Sequence, residues 1–153
     1  MHGRRTSARR YETSFREEAY LRRHWTLLRE LRAALRTEPN VRLAVLVGSQ
    51  ATGSDTERSD IDLLVALADA SATRVAQLTG RLERRLGREV QLVRLREAED
   101  TPTLMADALE QGRVLVDRDN GWPKLKARAA KWRRRAEATD VPIEQAMPDL
   151  DGS

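Results

Sequence analysis

Two short apolar runs, VRLAVLV (41–47) and DIDLLVAL (60–67), constrain the fold of this chain more than any other feature. Each is short, rich in Val, Leu and Ile, and nearly free of polar residues. That is the composition of strands buried on both faces. The twelve residues between them, GSQATGSDTERS, are polar and contain two glycines, and so read as a loop with room for one helical turn.

Buried strands need covering elements, and the flanking sequence supplies them. From about Tyr11 to Arg36, Leu21, Trp25, Leu28, Leu31 and Leu35 recur at steps of three and four, which predicts a helix with one apolar stripe. Glu38-Pro39-Asn40 ends it, because proline biases its predecessor away from helix. Ser71 is an N-cap for a helix over 72–86 with Val75, Leu78, Leu82 and Leu86 inward and Gly87 as terminator. REVQLVRL (88–95) reads as a third strand. Thr101-Pro102 opens a helix that runs to Gln111 and closes at Gly112. RVLVD (113–117) is a fourth strand, and a last helix after Gly121 shares Trp122, Leu125, Ala129, Trp132 and Ala136 on one face. The order α-β-β-α-β-α-β-α predicts class α/β (or α+β), with a small mixed sheet of three to four strands flanked by helices.

A length of 153 residues suits one domain, expected over 11–138, between a disordered basic start (1–10) and a disordered tail (139–153) with four acids and two prolines after Thr139. With no cysteine, disulfides, thiolate catalysis and Cys-ligated zinc are excluded. His2 and His24 are too few for a histidine metal cluster or a Ser-His-Asp triad. No apolar run approaches the ~20 residues of a membrane span, and the arginine-rich start lacks the apolar region of a secretory signal. A cytoplasmic location is expected.

Charge is unevenly spread. Residues 1–36 hold ten arginines against four glutamates, and 121–135 hold seven Lys/Arg and no acid. Solvated helix faces account for this, or an anionic partner such as RNA or an acidic protein surface. Trp25, Trp122 and Trp132 sit on helical stripes and are expected to pack rather than stack on bases, while His24 is expected to face solvent.

Residues 60–65 raise a chemical question. In a strand, residues two apart share a face, so Asp60 and Asp62 project together, ~7 Å apart at Cα, while Ile61 enters the core. Two such carboxylates either repel, raising one pKa, or share a hard divalent cation. Magnesium uses one or two carboxylates together with substrate phosphates, which fits a nucleoside triphosphate. Gly48-Ser49, ending the preceding strand, offers close backbone approach, a hydroxyl and turn N–H groups to phosphates, and Gly53 lets the loop fold back. Ser59 has a plainer role available, as a cap on the strand entrance.

The ensemble GSQATGSDTERSDIDLLV (48–65) resembles the signature of the minimal nucleotidyltransferases of the DNA polymerase β superfamily, and the likeness extends over about 41–118 by element order. LERRLGREVQLV (82–93) is similar to that family's helix-to-strand join. The resemblance implies a nucleotidyltransferase-like fold and metal-dependent transfer of a nucleoside monophosphate from an NTP, ATP foremost, with pyrophosphate released. By motif position Gly48 and Ser49 would bind the nucleotide. Asp60 and Asp62 would be the catalytic, Mg²⁺- or Mn²⁺-ligating pair.

Two positions depart from the family pattern. Gln91 stands where a third carboxylate is expected, with Glu89 two residues earlier on the same strand face, and Thr52 stands where many relatives carry arginine. Members of this size commonly act as antitoxins beside a small helical HEPN toxin, the acceptor being a hydroxyl of that partner. The alternatives are a catalytically impaired protein that binds NTP or only its partner, and an RNA-directed transferase. The apolar stripes of the two terminal helices exceed what a small sheet needs, which predicts a protein interface: self-association or a toxin contact.

Overall fold

The computed structural model describes residues 7–48 and 60–139, with side chains from Glu18 onward apart from Tyr20. Ser49, Gly53, Ser59 and Thr52, and the expectations placed on residues 1–6 and 140–153, lie outside that set.

The elements are α1 (Ser7–Arg36), β1 (Val41–Val47), β2 (Ile61–Leu67), α2 (Ala72–Leu86), β3 (Val90–Arg94), α3 (Leu95–Glu99), α4 (Pro102–Gln111), β4 (Arg113–Asp117), α5 (Trp122–Lys126) and α6 (Ala129–Thr139). The four strands form one mixed sheet in the order β3-β2-β1-β4. β1 is antiparallel to both neighbours, and β2 is parallel to β3. The two apolar runs that read as doubly buried strands are the central pair.

Helices cover both faces. On one, α1 and α2 lay Leu28, Leu31, Leu35, Leu78 and Leu82 against Ala44, Leu46, Ile61, Leu63 and Val65. On the other, α3 to α6 bury Ala98, Met105, Leu109, Trp122 and Trp132 against Leu43, Val45, Val47 and Leu64. Alternation along β2 therefore decides which of its residues see which layer. Among the described residues no helix is long and apolar enough to cross a membrane.

Local chemistry explains the helix ends. Ser71 Oγ accepts the Arg74 N–H, and Gly87 takes a left-handed φ of 66° and donates to Glu83 O, as the sequence predicts. Gly112 ends α4 differently, at an ordinary φ of −66°. A Cβ there would collide with the Ala108 carbonyl and lie 2.6 Å from Val45 Cγ1, so close helix–sheet approach is what requires glycine. Thr101 sits at the N-cap of α4 but its side chain makes no cap bond, and Pro102 at N1 starts the helix.

The structure corrects several expectations. β3 stops at Arg94, and the next five residues form α3, where Arg94 pairs with Glu97 and Ala98 is buried. The last helix is two: Arg128 N donates to Leu125 O, an i−3 bond that breaks it between α5 and α6. α1 begins at Ser7, a turn before the apolar stripe predicts. Its inward face is His24, Leu28, Leu31, Ala34 and Leu35, so His24 is buried (7% exposed) rather than solvent-facing. Leu21 and Trp25, the first two members of the predicted stripe, are instead 48% and 58% exposed. Trp122 and Trp132 are core, so the stripe on the last helices is packing, and among the described residues the exposed large apolar side chains, Leu21 and Trp25, are both on α1.

Candidate active site

The candidate site forms where β1 ends and β2 begins. Gly48 follows β1 with φ +74°, a conformation most side chains resist. A Cβ on it would stand 2.9 Å from Asp62 Oδ2. Backbone hand and carboxylate proximity both demand glycine here. The sheet register places Asp62 opposite Val47 on β1 and beside Gln91 on β3, so the carboxylate sits between the central strand and the parallel edge strand.

Asp60 and Asp62 are both half-buried. Because Ile61, Leu63 and Val65 point into the α1/α2 layer, the two aspartates share the opposite face with Leu64. Partial burial, and then the neighbouring Asp60 charge, push the Asp62 carboxyl above the ordinary carboxylate range. Burial is the larger cause and the Asp60 charge adds to it, the effect expected of two carboxylates carried two residues apart on a strand. The pair gains from any cation placed between its oxygens.

Gln91 is exposed and lies in direct register with Asp62, about 4.8 Å away at the strand spacing. Glu89 lies just before β3, where its backbone oxygen accepts the Ile61 N–H at 2.9 Å while its side chain is exposed. The neutral amide, not the carboxylate, is beside Asp62. Among the described residues no group of three or more His, Cys, Asp or Glu could hold a metal. What remains is two hard carboxylates with an amide oxygen alongside, a donor set that fits a divalent cation completed by phosphate and water.

Sequence reasoning did not single out a cleft of about 240 Å³ that Gly48 also lines, together with Val47, Leu104, Asp107, Gln111 and Gly112. Its polar groups come from α4, more than forty positions beyond the motif, and in sequence they look like ordinary helix-surface residues. Asp107 there is engaged by Arg133 of α6, which also binds Glu110.

Residues 29–121 match the family model described as Polymerase beta, nucleotidyltransferase. Among solved structures, a chain from a toxin–antitoxin complex with AMP-PNP is 25% identical, with a TM-score of 0.61, covering 82% of this chain and 98% of that one. A point mutant of the MntA–HpeT toxin–antitoxin pair is 27% identical (TM-score 0.57, 79% of this chain and 94% of that one). A chain from the complex of a tri-AMPylated Shewanella oneidensis HEPN toxin with its MNT antitoxin shares the fold at 23% identity (TM-score 0.58, 85% of this chain and 99% of that one). No curated protein sequence matches.

Proposed function

Because this chain belongs to the polymerase β nucleotidyltransferase family, we propose that it transfers a nucleoside monophosphate from an NTP, with ATP the preferred donor, to a hydroxyl of a small helical partner protein, as the antitoxin of a toxin–antitoxin pair. The observation that carries the reading is the close approach of the Asp62 carboxylate to the space a Cβ on Gly48 would fill, at the junction of β1 and β2, with Asp60 two residues earlier. Relatives solved with AMP-PNP, and with HEPN toxins as partners, support the donor and the acceptor class.

In the reaction, the acceptor oxygen bonds the α-phosphorus and the bond to the bridging oxygen breaks. Pyrophosphate leaves with that electron pair, and the hydroxyl proton passes to water. Gly48, lacking a Cβ, lets the phosphates approach the backbone beside Asp62, and Ser49 would add its hydroxyl. Asp60 and Asp62 would hold Mg²⁺ or Mn²⁺, which when bound supplies positive charge to the phosphates and lowers the pKa of the acceptor hydroxyl. Gln91 offers an oxygen to orient a water or acceptor but carries no charge to receive a proton.

The register of Gln91 beside Asp62 favours a second reading, in which the chain binds NTP and its partner but transfers slowly or not at all. One experiment separates the two. The full chain is incubated with α-labelled ATP, Mg²⁺ and the helical product of the adjacent reading frame. Label on the partner, lost in Asp60→Asn and Asp62→Asn, supports transfer. Tight ATP binding without label supports the second reading, and absence of both removes the nucleotide site.

A further inference from the structure

One surface is left unexplained by this reading. Trp25, Arg29, Arg32 and Arg36 recur at steps of four, three and four on the exposed side of α1, lining a shallow groove of about 320 Å³ with Leu28 and Ala33 at its floor. Several arginines elsewhere are matched to acids: Arg81 with Glu38, Arg85 with Glu30, Arg42 with Asp119, Arg133 with Asp107 and Glu110. Among the described residues no carboxylate is paired with Arg29, Arg32 or Arg36. Glu30 of the same helix is turned to α2. Trp25 and Leu21 are the exposed large apolar side chains among the described residues. This strip lies on the α1/α2 layer, across the sheet from Asp62.

We infer that this strip binds single-stranded nucleic acid, with phosphates on the three arginines and a base stacked on Trp25. Consecutive arginines rise about 4.5 and 6 Å along the helix, so their long side chains can follow successive phosphates of one strand. An indole with an open face at the end of a cationic groove is a sequence-tolerant stacking platform. An acidic protein surface is the weaker fit. Trp and Arg are enriched at protein interfaces too, but those bury ~800 Å² per partner around a largely apolar core, and here only two exposed large apolar side chains among the described residues accompany the three cations.

The test is fluorescence anisotropy of the full chain with a labelled oligouridine about 20 nucleotides long, in salt from about 50 to 200 mM. Three phosphate contacts predict a log K against log salt slope near −2, flattened in the Arg29→Gln/Arg32→Gln/Arg36→Gln variant. Trp25→Ala should weaken binding about 5- to 150-fold, with Trp25→Phe restoring most of it. A duplex of the same length should bind less well than the single strand, since its bases are not free to stack. All four positions are exposed, so thermal melting should not change, and ATP affinity measured on the same variants reports the nucleotide site separately. Equal affinity of wild type and the triple variant, or an unaltered Trp25→Ala, overturns the inference. Displacement of the RNA by poly-L-glutamate at matched charge also overturns it, in favour of an acidic protein surface.

Discussion

Asp62 shows how a single residue carries opposing demands. Its carboxyl is raised by burial and by Asp60, so the folded chain holds that proton more tightly than the unfolded one. Stability from this group is therefore lost as pH rises from the ordinary carboxylate range through the raised pKa, and the full penalty stands above it. Asn at this position carries no such penalty. Asp62→Asn should raise the melting temperature of the ligand-free chain at pH 7 and lose that advantage in acid, while calorimetry shows Mg²⁺-assisted ATP binding abolished. In the wild type, metal-assisted binding should weaken as pH falls through the same raised pKa, since the ion requires the carboxylate. An Asn variant that binds ATP and Mg²⁺ normally would remove Asp62 from the site. Gln91 gives the companion prediction. General-base assistance is worth about 10²–10⁴-fold, so Gln91→Asp should raise transfer to the partner by a factor within that range. Glu89→Gln should change little, because Glu89 lies outside β3. Efficient native transfer abolished by Glu89→Gln would instead make Glu89 the displaced third acid.

At the scale of elements, caps and core residues differ in weight. Asp117, at the end of β4, accepts the Gly121 N–H at 2.9 Å and the Trp122 N–H at 3.0 Å, fixing the start of α5 and seating Trp122 in the core. Asp117→Ala should cost about 1–2 kcal/mol in urea unfolding. Leu109, fully buried on the inner face of α4, should cost about 2–5 kcal/mol as Leu109→Ala. By contrast, the Arg133 ion pairs joining α4 and α6 are largely exposed, and Arg133→Ala should lose no more than about 1 kcal/mol.

Across the whole molecule, Arg118 ties the layers together. Its Nε donates to Val41 O at 2.8 Å and its Nη2 to Arg36 O at 2.9 Å, so one side chain from the end of β4 caps the last carbonyls of α1 at the entry to β1. Arg118→Ala should destabilise by about 1–3 kcal/mol and speed amide exchange in the last turn of α1 ahead of the sheet. Uniform exchange across both would show that this cap is not what anchors the helix.

The sequence by itself determined the strands, the order of most elements, the Ser71 and Gly87 caps, and the aspartate pair, because each rests on a local period or a single residue's backbone preference. Strand alternation alone predicts Asp60 and Asp62 on one face. Tertiary structure decided what depends on distant neighbours. Periodicity named Leu21 and Trp25 as inward, yet whether a stripe is covered depends on what lies beneath it, and burial along α1 is seen at His24 and Leu28 but not at Leu21 or Trp25. The last helix read as continuous because its face is apolar throughout, while an i−3 bond at Arg128 and a cap from Asp117 broke it in space. Gln91 could be suspected from its place in the motif. That it stands beside Asp62, with Glu89 outside the strand, follows from a parallel register between chain segments nearly thirty residues apart, which no local pattern encodes.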